Sequence, residues 1–290
     1  MEKSKKYFYD YDEYEKGDKS SATMISDIMA DPELPELEEV IIGCWGAPWD
    51  SDDCQDIIDT LVENKDKFSH IKSLFVGDMD YEECEVSWIV QGDYSKLWAA
   101  LPQLEKLTIK GSSELELGTI QHDNLKDLEI ICGGLPVTVI ESIQNATLPQ
   151  LERLMLYIGV DEYGFDGDVD SIQELLEKSN FPKLTYLGIT DSEMQNELVE
   201  VVLNSKYIKQ IEVLDVSYGS LTDEGGNMLI ETLKECSNVK KLIIIHHFLS
   251  DQGEQKLRSE LEAIGMEVIL EDKQCADGDD DPYYYAMLTE

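Results

Sequence analysis

Apolar residues recur along the chain in a fixed frame, in which Leu, Ile or Val occupies positions one, four and six of a short segment. In an extended strand, positions four and six point to one side and position five points to the other, so the frame predicts strands with one buried face. Successive segments start 21 to 34 residues apart. The eight segments are Leu37/Val40/Ile42, Ile71/Leu74/Val76, Leu104/Leu107/Ile109, Leu125/Leu128/Ile130, Leu151/Leu154/Leu156, Leu184/Leu187/Ile189, Ile211/Leu214/Val216 and Val239/Leu242/Ile244. A ninth, shorter strand is predicted around 267–270.

Amphipathic helical patterns lie between most of these strands, with apolar residues at intervals of three and four. They are Ile57/Ile58/Leu61, Val139/Ile140/Ile143, Ile172/Leu175/Leu176, Leu198/Val201/Val202, Met228/Leu229/Leu233 and Leu257/Leu261. One strand and one helix cannot bury their own apolar faces, so neighbouring units must stack on each other. The sequence therefore predicts an α/β fold, a right-handed leucine-rich-repeat solenoid. This horseshoe would have a parallel concave sheet of about eight or nine strands and convex helices.

Two late units carry helix N-cap signals, Leu-Thr-Asp at 221–223 and Leu-Ser-Asp at 249–251. Units in this part start 27 and 28 residues apart. In these features the chain resembles the ribonuclease-inhibitor-like class of leucine-rich repeats, whose convex side carries full helices. The resemblance covers about 37–270. It implies the fold and leaves the ligand open, because this architecture serves many recognition tasks.

A narrower resemblance rests on three strings that no generic repeat requires. They are Gly43-Cys44-Trp45-Gly46, the segment LFVGDMDYEECEVSWIVQGD at 74–93, and YAMLTE at 285–290. With these strings the chain resembles a family of bacterial cytoplasmic leucine-rich-repeat proteins without an assigned biochemical role. The resemblance spans nearly the whole chain and implies no particular activity.

The repeats divide the chain into three predicted regions: a tail and capping segment at 1–36, the leucine-rich-repeat domain at 37–271, and an acidic, tyrosine-rich tail at 272–290. Residues 22–35 are expected to form the N-terminal cap, and Asp31-Pro32 should end its helix. The opening YFYDYDEYEKGD is either a mobile tail or an extended strip docked on the stack, and its composition favours partial disorder. The final YYYAMLTE has a strand-like composition and is able to fold back on the body.

The charge balance limits the classes of partner. Against 62 acidic residues stand 23 basic ones, which gives a formal net charge of -39. Proteins that grip nucleic acid or anionic membranes need clustered Lys and Arg, so neither is expected as a partner. Basic partners would be attracted. Alternatively, the charge only keeps a long solenoid from associating.

Six cysteines are scattered without a Cys-x-x-Cys pair, which indicates reduced thiols in a cytoplasmic protein. The first twenty residues contain no apolar core of a signal peptide, and no apolar run approaches the roughly twenty residues that cross a bilayer. A soluble protein is expected.

A weak calcium candidate lies at 166–177, where oxygens occupy positions one, three, five and twelve of an EF-hand loop. Its residues are Asp166, Asp168, Asp170 and Glu177. Ser171 stands where the loop needs a turn glycine, so the simpler interpretation is that Asp170 or Ser171 caps a helix. No metal and no cofactor are predicted. Signatures of nucleophilic hydrolases, Walker loops and dinucleotide-binding folds do not occur in the sequence.

The concave positions five and seven give the most specific functional expectation. They are expected to face out of the sheet, where a fold needs no apolar residues, yet seven are apolar or aromatic: Ile41, Phe75, Ile131, Met155, Tyr157, Ile243 and Ile245. Loops at the strand C-termini add seven further candidate contacts along one rim: Trp45, Asp78, Asp80, Asp161, Asp191, Tyr218 and His247. Exposed apolar area usually marks an interaction site. A terminal segment, an inserted loop or a second copy is the alternative cover for these residues.

The sequence therefore predicts a non-catalytic binding scaffold that recognises a protein or peptide partner. The acidic charge is compatible with a partner that carries basic groups where it meets the rim. A metal-dependent hydrolase that uses rim carboxylates is one alternative. A structural protein that self-associates through the concave strip, giving a homo-oligomer, is the other.

Overall fold

Ten parallel strands form one sheet in a computed structural model of the protein, which describes residues 3–17, 19–47, 52–278 and 282–288. The strands pair strictly in chain order. They are β1 (Ser4–Tyr7), β2 (Glu39–Ile42), β3 (Ser73–Val76), β4 (Lys106–Lys110), β5 (Asp127–Ile131), β6 (Arg153–Gly159), β7 (Tyr186–Ser192), β8 (Val213–Asp215), β9 (Lys241–His247) and β10 (Glu267–Lys273). Every strand predicted from the apolar frame is present, and β1 is additional.

Helices connect most neighbouring strands. The described residues contain α1 (Tyr11–Lys16), α2 (Ser21–Ala30), α3 (Gln55–Glu63), α4 (Lys65–Phe68), α5 (Leu97–Ala100), α6 (Val137–Gln144), α7 (Val169–Lys178), α8 (Gln195–Asn204), α9 (Asp223–Leu233) and α10 (Asp251–Glu262). The six helices predicted from apolar spacing are confirmed as α3 and α6–α10. Thr222 and Ser250 cap α9 and α10, as the sequence predicts.

The connections from β3 to β4 and from β4 to β5 depart from the strand-plus-helix unit. The first contains only a 3₁₀ turn at Val86–Trp88 and the four-residue α5. Residues 111–126, all described, contain no α-helix. Isolated parallel bridges join these connections, including Val90 with Ser113 and Asp93 with Glu116. The unit that starts at Leu104 spans only 21 residues, too few for a strand, a helix and two turns.

One continuous core lies between the sheet and its connections. Frame positions four and six are buried throughout, as Leu74 and Val76 illustrate with exposures of 1% and 0%. The apolar faces of the helices meet them; Ile172 and Leu175 of α7 have no exposed surface. Each layer therefore buries the next, which is the cooperative arrangement of a repeat stack.

The described residues 3–17 form β1 and α1, so the expectation of partial disorder is wrong for them. Residues 4–7 add β1 to the edge of β2, with Tyr7 opposite Ile42. Tyr7 and Tyr9 lay their rings on the first core layer, while their hydroxyls donate to Asp31 and Asp27 of the capping segment at 2.8 and 2.7 Å. An amphipathic tyrosine suits this end layer, because its ring packs and its hydroxyl stays paired.

Candidate functional site

No helix of the described residues covers the second face of the sheet, where frame position five projects; we call it the open face. Register aligns its central residues in one row across the ten strands: Lys6, Ile41, Phe75, Thr108, Glu129, Met155, Gly188, Asp215, Ile243 and Ile269. Half-buried apolar pairs, Ile41 with Phe75 and Ile243 with Ile269, lie towards the two ends. Polar and charged residues occupy much of the middle, so the predicted apolar strip is interrupted.

An arginine organises the polar centre of the open face. The Arg153 guanidinium donates to Asp127 at 2.8 Å and grips both oxygens of Glu129 at 3.0 and 3.1 Å. It lies 4.9 Å from the centre of the Tyr186 ring, a cation–π contact. The Tyr186 hydroxyl in turn donates to Asp215 at 2.6 Å. These bonds fix three carboxylates and one cation in the middle of the face, which thus bears a net negative charge.

Burial raises the pKa of Asp215, whose carboxylate also accepts from the backbone N–H of Ser217 at 3.1 Å. The hydrogen bonds from Ser217 and Tyr186 oppose that rise because they favour the ionised form. Asp215 is only 5% exposed, so these two hydrogen bonds hold its carboxyl in one orientation within the surface of the open face.

One predicted open-face residue lies differently from expectation. Met155 is only 3% exposed, because its side chain lies over Gly188; a Cβ at position 188 would lie 2.0 Å from the Met155 sulfur. Gly188 therefore makes room for Met155, which becomes part of the sheet surface and is no accessible anchor. Ile131, Tyr157 and Ile245 are half-buried and remain on the face.

At the strand C-termini, aromatic residues form a second feature. Tyr157 and Tyr218 stack with ring centroids 5.7 Å apart and planes 16° apart. Burial is the main cause that raises the pKa of both phenols, and nearby carboxylates such as Glu129 and Asp215 add to it. Both hydroxyls therefore stay protonated and available as donors at neutral pH.

Three of the predicted rim residues are buried, which corrects their assignment as contact residues. Trp45 is 2% exposed, and its indole N–H donates to the Asp52 carbonyl beneath the following loop. Asp191 and His247 have no exposed surface. Asp191 and His247 belong to β7 and β9 themselves, so the frame alone does not place them on an accessible rim.

The remaining acidic rim residues are accessible to different degrees. Asp78 is half-buried and pairs with Lys6 at 3.0 Å, whereas Asp80 and Asp161 are exposed. Asp80 orders its own loop by accepting from the backbone N–H of Glu83 at 3.0 Å. The rim therefore presents carboxylates after β3 and after β6.

Two neighbouring clefts follow the rim and share Glu162 and Tyr163. The first, of about 390 Å³, is lined by Glu193, Asp277 and three residues near the C-terminus, Tyr283, Tyr285 and Met287, among others. The second, of about 360 Å³, includes Trp88, whose side chain is 56% exposed. Carboxylates beside aromatic faces form a surface that favours cationic groups. Sequence spacing gave no sign of these clefts, because their walls come from loops of unrelated length.

Three residues of the calcium candidate make local hydrogen bonds that stabilise the surrounding loop and helix. Asp168 caps α7 by accepting from the Ser171 N–H at 3.0 Å, so the prediction that Asp170 or Ser171 caps the helix is wrong, and the cap lies two residues before Asp170. Asp166 accepts from the Val137 N–H at 2.7 Å and joins two loops. Glu177 accepts from Gln173 at 2.8 Å, one turn away on the same helix. Across the described ranges, no group of three or more His, Cys, Asp or Glu side chains is placed to hold a metal ion.

The C-terminal segment, residues 282–288, lies over the ends of β7, β8 and β9, as its strand-like composition allowed. Its Leu288 N–H donates to Asp191 at 2.8 Å, and its Met287 N–H donates to the Tyr218 carbonyl at 2.8 Å. Tyr285 packs 5.5 Å from the ring of His246. This segment explains the burial of Asp191. The sequence identifies Asp191 as a candidate residue but does not predict its contact with the C-terminal segment.

Comparison with solved structures gives a match over nearly the whole chain. No family model matches the chain, and no curated protein matches it. The crystal structure of a protein from Bacteroides fragilis is 42% identical and superposes with a TM-score of 0.88. The match covers 99% of this chain and 77% of that chain. None of the helices in the described ranges is both long and apolar enough to cross a membrane.

Proposed function

Because the chain belongs to the same family as the Bacteroides fragilis protein of known structure, its function has to be argued from the site, and we propose a non-catalytic scaffold that binds a protein or peptide partner. The open face and the strand-end rim are the binding surface. The observation that carries the proposal is the open face itself, where half-exposed apolar pairs flank a fixed charged centre. Folding requires neither feature on a sheet face that meets solvent.

The same proposal includes the finer fold class. Strand positions four and six bury in every unit, and α7 to α10 follow their strands as full helices of 10 to 12 residues. These features support a right-handed leucine-rich-repeat horseshoe of the ribonuclease-inhibitor-like class, with the open face on its concave side. Curved stacks of this kind offer an extended surface to a partner.

Charge supports a partner with basic residues. The chain carries a formal net charge of -39, and the rim clefts place Glu162, Glu193 and Asp277 beside tyrosine rings. Such a field steers a basic segment towards the rim, while apolar contacts on the open face supply affinity. All six cysteines are free thiols, which suits the reducing cytoplasm as the site of action.

The test uses the full-length chain and a random peptide library displayed on phage. Peptides enriched on the wild type should lose binding to Phe75→Glu and Ile243→Glu, because each change places a charge in one of the apolar pairs. Ile264→Glu is the matched control, since Ile264 is 51% exposed next to α10 and away from the face. Each variant must keep the wild-type melting temperature. Absence of enriched peptides, or equal binding by all variants, contradicts the proposal.

A further inference from the structure

Four consecutive strands end in the same unusual backbone conformation. Asp191, Tyr218, His246 and Asp272 have φ angles of 58°, 67°, 58° and 54°, in the left-handed region that favours glycine. The strand ladder aligns them: the Asp191 N–H bonds to Ser217 and the Tyr218 N–H bonds to Ile245. We call this aligned row the ledge. The ends of β3, β4 and β6 adopt the same region with Gly77, Gly111 and Gly159. A non-glycine residue there costs about 1 kcal/mol or more, so the ledge is the part of the stack where this turn carries side chains despite the cost.

The ledge receives a polypeptide main chain. Its contacts to the C-terminal segment include two backbone hydrogen bonds, from Leu288 N–H to the Asp191 carboxylate and from Met287 N–H to the Tyr218 carbonyl, both 2.8 Å. Main-chain recognition specifies an extended conformation and places little demand on side chains. Side-chain contacts come from two rings: Tyr285 lies 5.5 Å from His246 and 5.1 Å from Phe248, and Tyr284 lies 5.3 Å from Phe248.

Buried polar atoms at the ledge have unused hydrogen-bonding capacity. Asp191 has no exposed surface, and its second carboxylate oxygen has no hydrogen-bond partner among the described residues. Nε2 of His246, a residue only 3% exposed, also has none within the described part of the chain. Because unpaired buried polar atoms cost free energy, the bound segment satisfies the ledge incompletely. A different ligand has room to improve on it.

The C-terminal segment is loosely anchored. Tyr283 and Met287 are 56% and 52% exposed, and only Ala286 of the described 282–288 is buried. The Tyr283 hydroxyl bonds to Glu193, beside a cleft that also contains Glu162 and Asp277. A lysine in place of Tyr283 would meet these carboxylates with a full positive charge. A foreign segment with a basic residue there would therefore compete with the chain's own segment.

We propose that the ledge is a binding site for an extended peptide of a partner protein, and that the C-terminal segment occupies it as an intramolecular ligand. The fitting peptide has an aromatic residue followed, two and three positions later, by free backbone N–H groups. A basic residue two positions before the aromatic one strengthens it. This inference deepens the proposed function by specifying the chemistry of the partner. It rests on the proposed function only for the statement that the partner is a polypeptide.

Fluorescence polarisation with labelled peptides tests the inference on full-length protein. The probe is the amidated peptide Pro-Tyr-Tyr-Tyr-Ala-Met-Leu, the sequence of residues 282–288. The double variant Met287→Pro/Leu288→Pro removes both N–H donors of the internal segment and should bind the probe at least about tenfold more tightly than wild type, because a tethered competitor is lost. Its far-ultraviolet circular dichroism must match wild type.

Further probes and variants distinguish a change in peptide binding from a change in the protein fold. A probe N-methylated at Met and Leu cannot donate the two hydrogen bonds, so it should bind the double variant about tenfold or more weakly. A probe with Lys in place of the first Tyr should bind more tightly than the original. Asp66→Ala, at an exposed position in α4, should leave affinity unchanged when added to the double variant, whereas Asp191→Ala should lower it.

The inference is overturned if the double variant binds no probe, or if the N-methylated probe binds as well as the original. Those outcomes leave the proposed function standing, because Phe75 and Ile243 lie on the open face rather than the ledge. Conversely, if no library peptide bound the open face, the proposed function would be contradicted and the polarisation result would be unchanged. The two failures are therefore distinguishable.

Discussion

The coupling between Arg153 and Glu129 is a quantitative test of the charged centre. Two hydrogen bonds of 3.0 and 3.1 Å join them, and their side chains are only 25% and 15% exposed. Exposed ion pairs contribute at most about 1 kcal/mol, whereas hydrogen bonds to charged groups at sheltered sites contribute about 1.5 to 3 kcal/mol. A double-mutant cycle of Arg153→Met and Glu129→Gln should therefore give a coupling energy of about 2 kcal/mol.

Urea denaturation of the four proteins gives the free energies of unfolding. The matched control is the exposed pair Lys178 and Glu174, one helical turn apart with 53% and 56% exposure. Its cycle, with Lys178→Met and Glu174→Gln, should give about 0.3 to 0.5 kcal/mol. High salt should abolish the control coupling and leave most of the Arg153–Glu129 coupling. Equal couplings for the two pairs, or one below about 0.5 kcal/mol at Arg153, would refute the idea of a sheltered centre.

Three further predictions concern the rest of the molecule. Burial raises the pKa of Asp191 well above its ordinary value, so the folded protein binds that proton more strongly than the unfolded chain and wild-type stability falls as the pH rises above about 4. Asp191→Asn should therefore be more stable than wild type at pH 7, with the difference vanishing near pH 4; thermal melts across pH check this, and a constant difference contradicts it. Asp168→Ala should lower the free energy of unfolding by about 1 kcal/mol through loss of the α7 cap, without any calcium dependence in the wild type. Native protein should react quickly with a thiol reagent at exposed Cys275 and more slowly at half-buried Cys236. Four buried thiols should react only on unfolding, and early modification of any of them counts against the core: Cys44, Cys54, Cys84 and Cys132.

The sequence predicts the core well because burial there repeats. Leu154, Leu187 and Leu214 fall on the same side of adjacent strands, and any extended strand with this frame must bury them together. The helices follow from the same rule at a spacing of three and four. The frame of apolar positions does not predict strand β1, because Lys5 and Tyr7 occupy the core-side positions where other strands carry Val, Leu or Ile.

The site is less predictable because it depends on departures from the repeat. Met155 appears exposed from its position, and only the neighbouring Gly188 allows it to lie flat. Asp191 appears to be a rim acid, but the left-handed backbone and a segment 97 residues away in the chain bury it. Neither a frame of apolar positions nor local propensity reports contacts at that separation.

Site-specific photo-cross-linking tests binding at the open face most directly. p-Benzoylphenylalanine replaces Phe75, Ile243 or the control Ile264 in the full-length chain, and a library-selected peptide is added before irradiation. The account predicts covalent adducts from the Phe75 and Ile243 positions and none from Ile264. Adducts from Ile264 alone, with none from either open-face position, would contradict it.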